Sequence, residues 1–369
     1  MKSLARAGRL PRSMRAVVYR GANDLRVETL PVPRISAGEL LVKVAVCGVC
    51  PTDIKKIQHG TVPPPRVFGH ETAGVIVRVG ARVRGFRVGE RVALHHHVPC
   101  LDCHACRHRA FAQCATYRRT GITAGFEPGG GGYAEYVRVM SFVLPGVVRI
   151  PARNSLLEGA MLEPVNTVLK AVKRLAVLPG DRVLVAGQGP IGLMFTRLLA
   201  LEGVEVIATD LLPSRLAHAR ALGARWALRG DDPRLPDLVH RAARGAGLDA
   251  AVIAVPSDDL VRQAIGLVRW AGQVLLFAHT RRGSEVPVDL ATVCVDEKDI
   301  IGSYSSDVTL QREVARLVFS RRLDMRALVT HRFPLEQTAA AVELAANPRG
   351  DSLKVVVDQE LAKEDAGSD

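Results

Sequence analysis

The stretch RVLVAGQGPIG, Arg182 to Gly192, constrains this chain more than any other, because it joins an apolar strand to a helix through a glycine turn. Gly187, Gly189 and Gly192 stand as G-x-G-x-x-G, with Pro190 and Ile191 between the last two. The first glycine permits the tight turn, the second lets backbone approach a diphosphate, and the third lets helix and strand pack closely. A diphosphate then sits at the positive end of the helix. Asp210 closes the next apolar run, VEVIATD, where an acidic side chain binds ribose hydroxyls and repels a 2′-phosphate. That favours NAD over NADP, and Arg215 just beyond softens the discrimination.

Around this motif, from about Asn166, short apolar runs alternate with longer amphipathic stretches. DRVLVAG leads to PIGLMFTRLLALEG, VEVIATD to PSRLAHARALGA, and DAAVIAV to the predicted helix DDLVRQAIGLVRWAG, followed by QVLLFAH. Such alternation predicts an α/β domain, a doubly wound parallel sheet with helices on both faces, over residues 166–306. From Met14 to about Pro151 the rhythm is different. MRAVVYRG, LLVKVAVCG, AGVIVRVG, GERVALHHHV and YAEYVRV are β-branched runs punctuated by glycine and proline, which predicts a mainly antiparallel β domain over residues 14–165. Residues 307–369 return to mixed helices and strands, end in SLKVVVD and an acidic tail, and are expected to fold back on the first domain.

Four of the seven cysteines, Cys100, Cys103, Cys106 and Cys114, fall within fifteen residues, in a lobe of about residues 95–118. A disulfide framework belongs to short secreted chains, whereas 369 residues at 48% hydrophobic can build cores. The first residues are basic but have no apolar run of signal-peptide length. A reducing, cytoplasmic setting follows, with thiols free to bind metal. Residues 1–13 read as a basic extension, either an organelle transit peptide or an extended start upstream of Met14. No stretch approaches the roughly 20 apolar residues of a membrane span. The formal charge of +13 is scattered among acidic residues, and aromatics make up 4% of the chain, which argues against a nucleic-acid footprint.

Four thiolates at these gaps can close around one Zn²⁺ as a structural site with no open position. His104 and His108 read as loop surface. A second set is spread along the chain: Cys47 and Cys50 in CGVCPTD, His70 and Glu71 in FGHETAG, and Glu163 in MLEPVNT. A thiolate, an imidazole and a carboxylate suit Zn²⁺ and leave a position for substrate. Cys47 and Cys50 read equally as a redox C-x-x-C pair, although no thioredoxin-like unit surrounds them. Consecutive strand residues point to opposite faces, so His95, His96 and His97 cannot all converge on a metal. The run Gly129 to Gly132 reads as a flexible turn rather than a phosphate loop.

Taken together, GHETAG, the four-cysteine lobe, GGGGYAEYV, EPVNTVLKAV, LPGDRVLVAGQGPIG and ALGA resemble the zinc-dependent medium-chain dehydrogenases, in the sorbitol and threonine dehydrogenase branch. The resemblance runs from about Met14 to Asp358. It implies a GroES-like catalytic domain, a Rossmann domain, one catalytic and one structural zinc per chain, NAD, a small alcohol substrate, and a homodimer or homotetramer. By motif it makes Cys50 the thiolate ligand, His70 the second and Glu163 the third, with Glu71 ligating directly or holding the zinc-bound water. Asp53 would orient the His70 ring, Thr52 take the alcohol proton, Thr167 lie against the nicotinamide and Lys354 meet the cofactor phosphates. Glutamate rather than cysteine at position 163 leans toward polyols, sugars or amino alcohols.

One position departs from the family. Where many relatives carry a proton-relaying histidine five residues after the thiolate, this chain has Lys55. Lys55, Lys56, His59 or the cofactor ribose with water would have to serve. Three rival readings remain: a zinc-free NADPH quinone or enone reductase of the same superfamily, a zinc-containing nucleic-acid-binding protein, and a sensor that has lost turnover.

Overall fold

The computed structural model describes residues 10–95, 98–120, 130–278, 283 and 285–361. It divides into two units, Met1–Pro164 with Asp307–Asp369, and Val165–Ser306. In the first unit, β1 (Ser13–Gly21) and β2 (Asp24–Pro31) form an antiparallel pair. A larger sheet contains β3 (Leu40–Gly48), β4 (Glu71–Val79), β5 (Arg91–Leu94), β6 (Tyr136–Val139) and β7 (Val148–Arg149). The run LLVKVAVCG makes β3 central, because both of its faces are apolar. Leu41 and Cys47 point into one core with Tyr19, Phe68 and Tyr133, while Leu40, Val42 and Val44 join Ile76, Val92 and Val137 on the other side.

The second unit holds β8 (Arg182–Ala186), β9 (Glu205–Asp210), β10 (Trp226–Arg229), β11 (Leu248–Ile253), β12 (Val268–Leu276) and β13 (Asp299–Gly302). All pair in parallel in the order β10-β9-β8-β11-β12-β13, the Rossmann arrangement, with its switch point between β8 and β11. The predicted helix over DDLVRQAIGLVRWAG is shorter than expected. It covers Asp258–Leu267, and Val268 already starts β12, paired with Leu248 before a shift in register. Pairing with a buried neighbour outweighs the apolar periodicity that suggested helix. The helix Leu235–Ala242 and strand β10 complete the wound sheet and were not singled out in the sequence.

The last strands, β14 (Val329–Phe333) and β15 (Lys354–Asp358), return to the first unit, and β15 lies antiparallel to β3 with Val357 opposite Cys47. A second tie lies at Glu158. Its side chain closes a capping box with Ser155 and meets the Asn154 amide at 2.8 Å and the Arg321 guanidinium at 3.1 Å. Burial alone would raise this carboxyl, but the Ser155 N–H and hydroxyl, the Asn154 amide and Arg321 together bring it down to about 2. The folded value lies below the ordinary one, so the group stabilises the fold above about pH 4.5 and loses that effect as pH falls toward 2. Glu158→Gln should therefore cost on the order of 2–3 kcal/mol at pH 7. The difference from wild type should shrink below pH 4, as read by denaturant titration across pH.

Candidate active site and metal centres

β3 ends at Gly48, and two residues later Cys50 caps the helix Pro51–His59 with an extended backbone, φ −105° and ψ 140°. Proline at the first helical position fixes that start. Asp53 in the first turn is wholly buried, and its Oδ1 lies 3.1 Å from His70 Nδ1. With Nδ1–H directed at the carboxylate, Nε2 of His70 is the nitrogen that would meet a metal. β4 begins next door with Glu71, whose side chain occupies the space that a Gly48 side chain would need. A Cβ on Gly48 would stand 1.7 Å from Glu71 Oε2. One donor atom from each of Cys50, His70 and Glu71 lies within 4.8 Å of the others.

Lys354 at the start of β15 completes the surroundings. Its ammonium pairs with Glu71 and donates to the Val49 carbonyl at 2.9 Å, and it is 5% exposed. The resemblance implied a contact to cofactor phosphates, whereas here this lysine is engaged with Glu71. Burial raises the Glu71 carboxyl, Lys354 opposes that, and the charge of Glu163 reinforces it. Glu163, buried on the helix Leu162–Val172, thus lies within electrostatic reach of Glu71 but outside the three-donor set. Thr52 is half-buried in the first turn of the Cys50 helix, Lys55 and Lys56 follow with pKa values lowered by burial, and His59 is exposed at the far end. Thr167 lies four residues beyond Glu163.

Cys47 behaves differently from Cys50. It is fully buried, 3.4 Å from the Thr72 hydroxyl, and burial pushes its thiol up to about 12, a packing residue rather than half of a redox pair. The glycine run proves tighter than a flexible turn. Gly131 and Gly132 are buried, and a Cβ on Gly132 would stand 2.5 Å from Cys47 Sγ, so close approach demands them. Gly129, His96 and His97, like residues 1–9, lie outside the described residues, and His95 is buried.

The four-cysteine lobe draws its sulfurs together: Cys103 to Cys106 at 3.5 Å, Cys114 to Cys100 at 3.6 Å and Cys100 to Cys106 at 3.9 Å. A tetrahedron with Zn–S bonds of about 2.3 Å has edges of about 3.8 Å, so the spacing fits zinc. The backbone N–H groups of Cys103 and Cys100 already point at Cys100 Sγ and Cys114 Sγ, each 3.4 Å away. The His104 and His108 rings lie 4.4 Å apart, tilted by 56°, and take no part in this set.

In the second unit, Gly187 has φ +90°, a conformation reserved for glycine, and a Cβ on Gly192 would stand 1.7 Å from the Gly187 carbonyl oxygen. Gly189 differs. The nearest atom to its missing Cβ is an Arg215 nitrogen at 4.0 Å, leaving room for a ligand above the turn. Pro190 opens the helix Pro190–Leu201, which also carries Ile191 and Gly192. Asp210 accepts from Gln188 N–H at 2.6 Å and from Leu212 N–H at 2.9 Å, and Arg215 lies 3.8 Å from it.

Residues 36–151 match the alcohol dehydrogenase GroES-like domain, and residues 190–320 match the zinc-binding dehydrogenase domain. The chain belongs to the zinc-dependent medium-chain dehydrogenases. It is 30% identical to sorbitol dehydrogenase of Bacillus subtilis over 94% of this chain and 98% of that one. With sorbitol dehydrogenase of Bombyx mori it is 31% identical over 93% and 97%. The structure of 2R,3R-butanediol dehydrogenase from Bacillus subtilis superimposes with a TM-score of 0.81 at 25% identity, covering 94% of this chain and 99% of that one.

The lobe's own core consists of Cys106, Phe111, Ala112, Cys114 and Tyr117. So small a core depends on its metal, and Cys103→Ser should lose one of two zinc ions per chain and lower the thermal midpoint while leaving NAD binding intact. Elemental analysis and calorimetry check this. The other centre answers to pH. Burial opposes charge on His70, but Asp53 and Cys50 lift its pKa well above the ordinary 6.5. In metal-free protein this raised value contributes stability in full below pH 6.5, which fades as pH rises through it. A ligand nitrogen must be neutral, so zinc uptake displaces that proton. Zinc affinity of the Cys103→Ser protein should fall about tenfold for each pH unit that the pH is lowered, per proton displaced, measured by competition with a chelator.

Proposed function

We propose that this chain oxidises a secondary or primary alcohol of a polyol, sugar or amino alcohol and transfers the hydride to NAD⁺. The observation that carries the reading is the convergence of Cys50, His70 and Glu71 with Asp53 behind the imidazole, in a chain whose second unit carries the glycine turn and Asp210. Bound zinc would supply a Lewis acid that favours loss of the alcohol proton near neutral pH. Cys50, His70 and Glu71 hold that ion, and Glu163 is the reserve carboxylate beside them. Thr52 accepts the substrate proton. Lys55, three residues on and so on the same helical face, passes it toward solvent, and the lowering of its pKa by burial favours that role. Thr167 lies against the nicotinamide, the glycine turn cradles the diphosphate, and Asp210 selects NAD over NADP by repelling a 2′-phosphate. The relatives named sorbitol dehydrogenase and butanediol dehydrogenase support a substrate with neighbouring hydroxyls.

The same reading includes self-association and a reducing, cytoplasmic setting. Exposed Trp270, Leu290, Val293, Val295 and Ile300 crowd residues 270–300 at the β13 end of the parallel sheet, a face suited to a second copy of the chain. All seven cysteines are free thiols, as metal binding requires. Among the described residues, no helix is long and apolar enough to cross a membrane.

The test is a panel of polyols, sugars and amino alcohols, scored by NADH absorbance on zinc-loaded protein. Turnover should appear with at least one vicinal diol. Cys50→Ala should remove several kcal/mol of transition-state stabilisation, about a thousandfold or more in rate, while NAD binding persists. An active Cys50→Ala enzyme with full zinc would refute the assignment.

A further inference from the structure

Strand β7 is the edge of the first unit's large sheet, and the helix Gln311–Phe319 packs against it. Between them lies a groove of about 690 Å³, lined by none of the residues assigned above to zinc or dinucleotide. That volume lies within the range of small-molecule sites. Its walls are apolar: Val148, Pro151, Ala315, Leu317 and Phe319. Its rim is cationic, with Arg149, Arg153, Arg316 and Arg322 against the single carboxylate of Glu313.

Some exposed arginines of this chain meet carboxylates, as in Arg20–Glu28, Arg26–Asp24, Arg234–Asp232 and Arg326–Asp324. Arg153 and Arg316 do not. Neither guanidinium has a partner among the described residues. Arg149 is fixed by Glu90 at 3.0 Å and lies over the Phe86 ring. The turn that presents Arg153 is also fixed. Arg91 holds the Pro151 and Asn154 carbonyls at 3.3 and 2.7 Å, and Arg321 holds the Arg153 carbonyl at 3.0 Å. Two unmatched planar cations thus stand on rigid backbone above an apolar trough. Guanidinium forks match carboxylate and phosphate oxygens, and the trough matches a hydrocarbon body.

We propose that this groove binds a small amphipathic anion, an aliphatic or aromatic body bearing one carboxylate or phosphate. The head group lies between Arg153 and Arg316, and the body lies along Phe319 and Leu317. The site is separate from the alcohol site and does not depend on the reaction proposed above.

Calorimetric titration of zinc-loaded protein with octyl phosphate and octanoate tests it, with octanamide and inorganic phosphate as the two incomplete probes. The comparison protein is the Arg153→Ala/Arg316→Ala double variant. Both side chains are exposed and unpaired, so its melting curve should match wild type. Each amphipathic anion should bind wild type at least about tenfold more tightly than either incomplete probe. The double variant should lose about tenfold or more of that affinity and keep its alcohol oxidation. Equal affinity in wild type and the double variant would place the binding elsewhere and overturn the proposal. So would octyl phosphate and octanoate binding no better than octanamide.

Discussion

Glu71 and Lys354 meet inside the first unit with almost no water around either, at 1% and 5% exposure. The pair joins the start of β4 to the start of β15, and the lysine also donates to Val49 between β3 and Cys50. A buried ion pair gains little net stability, because desolvation offsets the attraction, but removing one partner leaves an expensive charge behind. Here the charges do not balance within the chain. The acidic groups Cys50, Asp53, Glu71 and Glu163 outnumber the cationic neighbours that act on them among the described residues, His70, Lys354 and Lys56. In metal-free protein the imidazole is driven toward its charged form and the Glu71 carboxyl toward its neutral form. Both shifts relieve a negative surplus, which a divalent cation on the same three donors would relieve more completely.

The second unit follows the opposite logic. Its turn offers donors rather than charge. Asp210 is already occupied by the N–H groups of Gln188 and Leu212, so its carboxylate holds the turn. Gly187 and Gly192 are constrained by their neighbours, and Gly189 alone opens outward. Binding therefore costs little rearrangement, because the backbone that would approach the diphosphate is held in place by groups that do not touch it. Arg215 stands 3.8 Å from Asp210 and offsets part of its charge.

Much of this was legible in the sequence, because the spacing that carries the chemistry is local. The cysteine lobe, the glycine turn and the Cys50 helix each lie within a few turns of chain, and the structure brings together the parts of each. Long-range geometry was not legible. That Glu71 rather than Glu163 joins Cys50 and His70 depends on the space left at Gly48, and no periodicity records it. The partnership of Lys354 with Glu71 spans most of the chain and arises from β15 lying beside β3. The arginine groove couples Arg153 to Arg316 through a helix and a sheet edge that only the fold brings together. The apolar run after Leu267 misled because a helical period and a buried strand look alike over so short a span.

The two metal centres differ in how the fold pays for them. The lobe's four sulfurs come from fifteen consecutive residues, and its small core touches little else, so metal and local folding rise and fall together. The other donors are placed by the ends of β3 and β4 and by a helix start, elements whose apolar faces are buried in the main cores. Their positions are fixed before any ion arrives. A scaffold that holds an unbalanced, preformed donor set is strained electrostatically rather than sterically. Such strain favours an electrophile at that point without requiring the rest of the domain to move.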